Sequence, residues 1–348
     1  MKFKSIFNAT FHHLSTVLFL FGFIFDAILL PRFDELIARL IGLTHICIVA
    51  LFIYLREWVV ARNTASVMEQ KLFSLITFVI SFSSGAALSF IFIYAVRSAE
   101  ISASWPLFII LLICMLANEF ISTHNFRFSL DVGVVFIALL FYVIFNTPLI
   151  LKVQNDFTFI ISIIVDGLIS LAYAHILRHA SYTANHEASR SYALAIGIPL
   201  FVGMLYFLNM IPAVPLSLKE ADVYHSVSRD ISGNFTFSKE EKDESMFSFF
   251  KTETHEFLNE DDAVYFFSAI DAPAELTAPI AHVWEYYDKD LKRWTESTRI
   301  TFDILGGREE GYRAYSKKEN IADGLWRVTV KVGDTRIVGR KKFKVVNY

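Results

Sequence analysis

Seven apolar runs, each about long enough to cross a bilayer, follow one another between Phe11 and Ile211, and nothing comparable comes after Pro212. They read as spans near Phe11–Leu30, Leu36–Leu55, Leu72–Val96, Trp105–Phe120, Phe128–Phe145, Phe157–Ile176 and Tyr192–Ile211. Backbone in hydrocarbon has to satisfy its own polar groups, so each run is expected to be a helix and the set a bundle. The fourth run is short and the fifth is entered past Asp131, so these two carry the weakest signal.

The last run, Ser191–Pro212, divides the chain between two solvents. Of the 32 Lys and Arg only 12 precede Pro212, and of the 35 Asp and Glu only 11 do, so charge is concentrated in the C-terminal part. A mean hydropathy of +0.45 beside 19% charged residues fits a membrane half joined to a soluble half. The net charge of −3 has no basic excess of the kind that attracts nucleic acid. Cys47 and Cys114 both fall inside apolar runs, which leaves no disulfide framework for the soluble half. Met1-Lys-Phe-Lys before the first run has the charge layout of a signal peptide without a small-residue cleavage site, so that run is read as an uncleaved span.

Orientation follows from Lys and Arg in the short loops, because positive segments resist translocation. With the N-terminus cytoplasmic, the inner side carries Lys2, Lys4, Arg56, Arg62, Lys71, Arg127, Arg178 and Arg190, and the outer loops hold Arg32, Arg97 and Lys152. Seven spans from an inside start then place the C-terminal half outside. In a bacterial cell this is a multi-pass protein of the cytoplasmic (inner) membrane with a periplasmic domain.

Residues 1–213 are thus expected to form the membrane bundle. Residues 214–262, with Lys239-Glu-Glu-Lys-Asp-Glu-Ser245, read as an acidic linker or amphipathic stalk. From 263 to 348 the period changes to two: Val264, Phe266 and Ile270 share a face, as do Ile300, Phe302 and Ile304, and Trp326, Val328, Val330 and Val332. Turn signals at Asp271-Ala-Pro273, Gly306-Gly307, Asp323-Gly324 and Gly333-Asp334 separate these runs. The fold class is therefore a helical membrane bundle followed by a small all-β, sandwich-like domain.

The segments Ala281-His-Val-Trp-Glu-Tyr-Tyr287, Ile300-Thr-Phe-Asp-Ile304, Gly324-Leu-Trp-Arg-Val-Thr-Val330 and Phe343-Lys-Val345 resemble a small bacterial domain of unknown function often fused to membrane spans. Ser84-Gly-Ala-Ala-Leu-Ser89, with Tyr94, Arg97, Ser98 and Asn118-Glu119, resembles the multispan half of proteins carrying that domain. The resemblance implies a two-part membrane protein with an extracytoplasmic β-domain, and it brings no catalytic residues.

Ionisable groups inside spans are costly, about 2.5–3.5 kcal/mol for a central carboxylate on insertion scales. Asp166 stands near the middle of the sixth run, while Glu119 and Asp131 lie nearer run ends; with Asn118 they form the candidate polar site of the membrane half. Two readings stay open: a proton or substrate path through Asp166, or a packing carboxylate bonded to a neighbouring Ser or Tyr. The small, polar third run from Ser81 to Ser89 fits close helix packing or a cavity for a lipid or solute. His12, His13, His124, His175 and His179 map to the cytoplasmic end, and His175 and His179 share a helical face. With Glu119 they are candidates for a metal site, but no His-x-x-His-His cluster is present and no cofactor is assigned.

In the soluble half no nucleophile motif, phosphate loop or paired metal ligands can be discerned. Tyr286, Tyr287, Trp294, Arg313 and Tyr315 are the candidate binding surface, a flat aromatic and arginine platform suited to an envelope glycan or a protein partner. Arg340-Lys-Lys342 and Lys344 suit anionic headgroups or the protection of an edge strand. The first functional reading is a membrane-anchored binding protein. The alternative is a membrane enzyme or transporter using Asp166, Glu119 and the cytoplasmic-face histidines.

Overall fold

A computed structural model describes residues 23–24, 26, 28–33, 35–62, 67–98, 101–120, 124–230, 235–238, 255–259, 263–305, 311–333 and 336–347. These residues fall into two units, one built from 1–97, 104–151 and 156–210, the other from 98–103, 152–155 and 211–348.

The first unit is helical: α1 Leu36–Ala61, α2 Val67–Arg97, α3 Ile101–Phe120, α4 His124–Leu151, α5 Asp156–Leu177, the short α6 Tyr182–His186, and α7 Ala188–Phe207. Five of them, α1, α2, α4, α5 and α7, are long and apolar enough to span a membrane. In α3 the apolar part is the shorter Ser104–Asn118, which is the weakness the sequence already shows for the fourth run. The expected first span, Phe11–Leu30, lies mostly outside the described residues.

Small residues set the closest approaches. A Cβ on Gly42 of α1 would stand 2.7 Å from Cζ at the tip of the Phe90 ring of α2, so glycine lets the end of this ring come up against α1. Polar side chains inside the helices turn back on their own backbone: Thr77 Oγ1 donates to the Phe73 carbonyl at 2.9 Å and Ser162 Oγ to that of Thr158 at 2.8 Å. In α4, Asn146 and Thr147 do the same to Tyr142 and Val143 just ahead of Pro148, whose ring nitrogen donates nothing. Between helices, Tyr173 Oη of α5 donates to the Ala50 carbonyl of α1 at 2.7 Å.

The second unit is all β. Its strands are β1 Ser217–Tyr224, β2 Ser226–Arg229, β3 Phe235–Ser238, β4 His255–Asn259, β5 Ala263–Asp271, β6 Thr277–Asp288, β7 Arg293–Leu305, β8 Tyr312–Glu319, β9 Gly324–Val332 and β10 Arg336–Asn347. They form a five-stranded sheet in the order β4-β10-β9-β6-β7 and a three-stranded sheet β1-β5-β8, antiparallel throughout except for the parallel pair β4–β10.

The two sheets share one core. Val264, Phe266 and Ile270 of β5 and Val223 of β1 meet Ile280 and Trp284 of β6, Val328 and Val330 of β9 and Phe343 of β10. Every second residue of a strand faces the same way, so the alternating runs seen in the sequence become these inward rows. The back of the three-stranded sheet is also covered. Tyr224, Phe267 and Ala269 pack with Val227 and Phe235 of the β2–β3 hairpin.

This corrects the expectation of a linker or stalk over 214–262. Where described, the segment supplies β1 to β4, and Leu216 and Val223 sit in the core. Its Lys219, Glu220 and Asp222 make the strand look like a charged connector in the sequence, although Asp222, Val223 and Tyr224 are all buried. The acidic stretch 239–245 lies outside the described residues.

Candidate functional site

Asp131 in α4 has no exposed surface. A lone carboxylate there would be very costly, and the chain meets it with two arginines. Arg56 Nη1 of α1 lies 2.5 Å from Asp131 Oδ2, and Arg127 Nε, one helical turn before Asp131, lies 2.8 Å from Oδ1. Arg127 then reaches across to two other helices, donating to the Asn118 carbonyl at 2.7 Å, to Asn118 Oδ1 at 3.1 Å and to Ser81 Oγ at 3.0 Å. Asn118 Nδ2 donates to the Ser81 carbonyl at 3.1 Å. On its other side Arg56 Nε meets Glu57 Oε1 at 3.4 Å, and Glu57 Oε2 accepts from Ser181 Oγ at 2.8 Å. Ser181 is also the N-cap of α6, accepting from the Ala184 backbone N–H at 2.9 Å. One polar network therefore ties α1, α2, α3, α4 and α6. A cavity of about 110 Å³ opens beside it, lined by Arg56, Glu57, Arg127, Thr77 and Thr183 together with apolar groups.

Of the four candidates in the membrane half, Arg127 binds both Asn118 and Asp131. Asp166 stands apart on α5, fully buried, with Ser170 Oγ at 3.4 Å from Oδ1. Glu119 belongs to α3, but its side chain lies outside the described part, as does that of His124; His12 and His13 fall outside the described residues altogether. His175 and His179 do come together, their rings 5.2 Å apart, and His175 Nδ1 lies 3.1 Å from Tyr192 Oη. Among the described residues no group of three or more His, Cys, Asp or Glu is placed to hold a metal ion. Of the network's central members, the sequence reading takes Arg56 and Arg127 only as loop charges and does not single out Glu57. The one local signal for them is the i,i+4 spacing of Arg127 and Asp131.

The expected aromatic platform of the β unit is divided. Tyr286 and Tyr287 are neighbours in β6, so they face opposite ways. Tyr286 turns to the inward row, against Trp326 at 5.7 Å, while Tyr287 meets Trp294 of β7 edge-on at 5.4 Å. Arg313 and Tyr315 belong to β8 in the other sheet, where both lie against Phe235. The five residues thus divide three ways rather than forming one platform: Tyr286 against Trp326, Tyr287 with Trp294, and Arg313 with Tyr315 on the other sheet.

The patch on the five-stranded sheet has an ordered polar partner. The Arg327 guanidinium stands 4.5 Å above the Trp294 ring, and its Nε and Nη2 both donate to the Glu285 carboxylate at 2.7 Å. Thr329 Oγ1 donates to the same carboxylate at 2.6 Å. Burial alone pushes the Glu285 carboxyl up, but the hydrogen bonds from Arg327 and Thr329 more than offset it and hold it below the ordinary carboxylate range. Glu285, Arg327 and Thr329 escaped the sequence reading because nothing local links β6 to β9. Deeper in the sandwich, His282 is fully buried between Ser268 Oγ, 2.8 Å from Nε2, and Ser316 Oγ, 3.0 Å from Nδ1, and burial lowers its pKa to about 3. Trp284 Nε1 donates to the same Ser316 at 3.1 Å. This is a polar knot inside the core, out of reach of a substrate.

Comparison with known proteins adds a family for the C-terminal part. Residues 277–345 match the family described as a protein of unknown function (DUF2914), which runs from the start of β6 into β10. No curated protein matches the chain. Among solved structures, an immunoglobulin-like protein from Pseudomonas aeruginosa is similar at 14% identity and a TM-score of 0.20, covering 38% of this chain and 98% of its own. The alkylpurine DNA glycosylase AlkC of Pseudomonas fluorescens, bound to DNA containing an abasic site analogue, is similar at 9% identity and a TM-score of 0.23, covering 91% of this chain and 100% of its own. Overlaps this low bear on neither fold nor function.

Proposed function

We propose that the chain is a multi-pass protein of a bacterial cytoplasmic membrane whose β-sandwich faces the periplasm and binds an envelope glycan at the Tyr287–Trp294–Arg327 corner. The observation that carries this reading is the corner itself. Two half-exposed rings stand edge to face, and an arginine is held over one of them by a carboxylate that accepts both of its parallel N–H groups. Flat rings pack on the apolar faces of sugar rings, while a guanidinium and a carboxylate with fixed directions meet the hydroxyls around them. The orientation has its own support. Lys152–Asn155, which the charge count puts on the outer side with the C-terminal half, belong to the β unit, with Val153 bridging Thr277 and Gln154 Nε2 donating to the Val214 carbonyl at 3.0 Å.

The test uses the detergent-purified full chain and soluble cell-wall glycan fragments. Binding is expected to fall about tenfold in Trp294→Ala, a loss of about 1.4 kcal/mol, with the melting of the β unit little changed. Equal binding by the wild type and Trp294→Ala sinks the glycan assignment, and capture of a protein partner through the same corner replaces it. Orientation is read separately from reporters fused after Tyr348, where an enzyme that works only in the periplasm is expected to be active. A fluorescent cytoplasmic reporter lighting up instead overturns the topology.

A further inference from the structure

The cavity beside the Asp131 network has a wall of unusual composition for a membrane helix bundle. Arg56 and Glu57 stand side by side in it, Thr77 and Thr183 add hydroxyls, and Phe73 and Phe128 make its apolar part. The protein partners of Arg56 among the described residues take Nε and Nη1, which leaves Nη2 for a ligand. Arg127, by contrast, donates to Asn118 and Ser81, with its Nε 2.8 Å from Asp131 Oδ1 as an ion pair.

Among the described residues the ion pairs of the cluster balance, two arginines against Asp131 and Glu57. A simple anion entering it would leave a net negative charge in a site of low polarity, which is expensive. A zwitterion leaves it neutral, with its negative group on Arg56 and its positive group on Glu57. The depth is that of a headgroup. Arg56 is five residues from the end of α1, about 8 Å at 1.5 Å per residue, and Arg127 is in the first turn of α4. The polar headgroup layers flank a hydrocarbon core about 30 Å thick at this level. A volume of about 110 Å³ admits a phosphate and the few atoms attached to it, and the two phenylalanines suit the first carbons beyond.

We infer that this cavity binds the headgroup of a zwitterionic aminophospholipid, with the phosphate on Arg56 and the primary ammonium on Glu57. Arg127 and Asp131 are positioning residues that hold Arg56 in place.

The experiment uses the delipidated full chain in detergent, with phosphatidylethanolamine, phosphatidylglycerol, phosphatidylcholine or inorganic phosphate added back, and reads retention by native mass spectrometry and stabilisation by thermal melting. Phosphatidylethanolamine is expected to be retained about tenfold better than phosphatidylglycerol, and better than phosphatidylcholine, whose ammonium has no N–H for Glu57. Thr183→Phe fills the cavity while leaving every ion pair intact, so it is expected to lower that retention about tenfold without changing the helix content. Glu57→Gln is expected to erase the preference for the amine. Equal retention by wild type and Thr183→Phe overturns the site. Stronger retention of phosphatidylglycerol overturns the zwitterion, and stabilisation by inorganic phosphate as large as that by lipid overturns the membrane source.

Discussion

Both units of this protein bury arginine–carboxylate pairs, and they bring the partners together by different means. In the helical unit Asp131 takes Arg127 from its own helix and Arg56 from a helix 75 residues away, while Arg127 recruits Asn118 and Ser81 from two more. In the β unit Glu285 meets Arg327 because the register of β6 and β9 sets them directly opposite each other. Cross-strand neighbours are fixed as soon as the pairing is fixed, so the sheet makes its pair by repetition. The helices have no such ladder between them, and the arginine fork is itself one of the contacts that decides how they pack.

The difference predicts a ranking of costs. Asp131→Asn leaves two arginines facing a neutral amide at a fully buried position, and denaturant unfolding of the detergent-solubilised chain is expected to show a loss of about 3–5 kcal/mol. A loss no larger than that of a surface pair removes the network from any structural role. Glu285→Gln keeps its shape and one acceptor, so the β unit is expected to lose about 1.5–3 kcal/mol, read from tryptophan fluorescence during urea unfolding. If it costs more than Asp131→Asn, the contrast between helix packing and sheet register fails.

A third measurement concerns the buried histidine. The folded sandwich refuses a proton on His282 until about pH 3, whereas an unfolded histidine accepts one near 6.5. Between those values the unfolded state binds more protons, so stability is complete above pH 6.5 and falls by about 1.4 kcal/mol per pH unit as the pH drops through the window. His282→Gln is expected to flatten this slope, and an unchanged slope places the pH dependence elsewhere. The smallest effect belongs to Glu296→Gln. Its partner Arg299 is three residues away at 3.0 Å on the surface, and the change is expected to cost no more than about 0.5 kcal/mol in the same urea titration.

Much of this arrangement is legible in the sequence. The long apolar runs mark, among the described residues, five helices long and apolar enough to span a bilayer, and α3 falls short by the same measure. The alternating runs at 300–304 and 326–332 mark half-buried strands, and the quoted C-terminal segments point to the family matched at 277–345. What escaped were elements whose signal is not local. Strand β1 carries Lys219, Glu220 and Asp222 among its apolar residues, and only pairing with β5 turns it into core. Tyr287 and Arg313 look like neighbours in composition, yet strand parity and sheet membership send them to different surfaces.

The sequence by itself determined the division into an apolar and a polar part, the helical and extended periods, and the positions where a charge has to be answered, since each depends on residues a few places apart. Only the tertiary structure decided which residue answers it. Arg56 rather than a histidine stands against Asp131, Arg327 rather than Arg313 stands over Trp294, and Ser268 and Ser316 enclose His282. Those partners lie 14 to 75 residues apart, and their contacts depend on helix packing and strand register that no short stretch of chain contains.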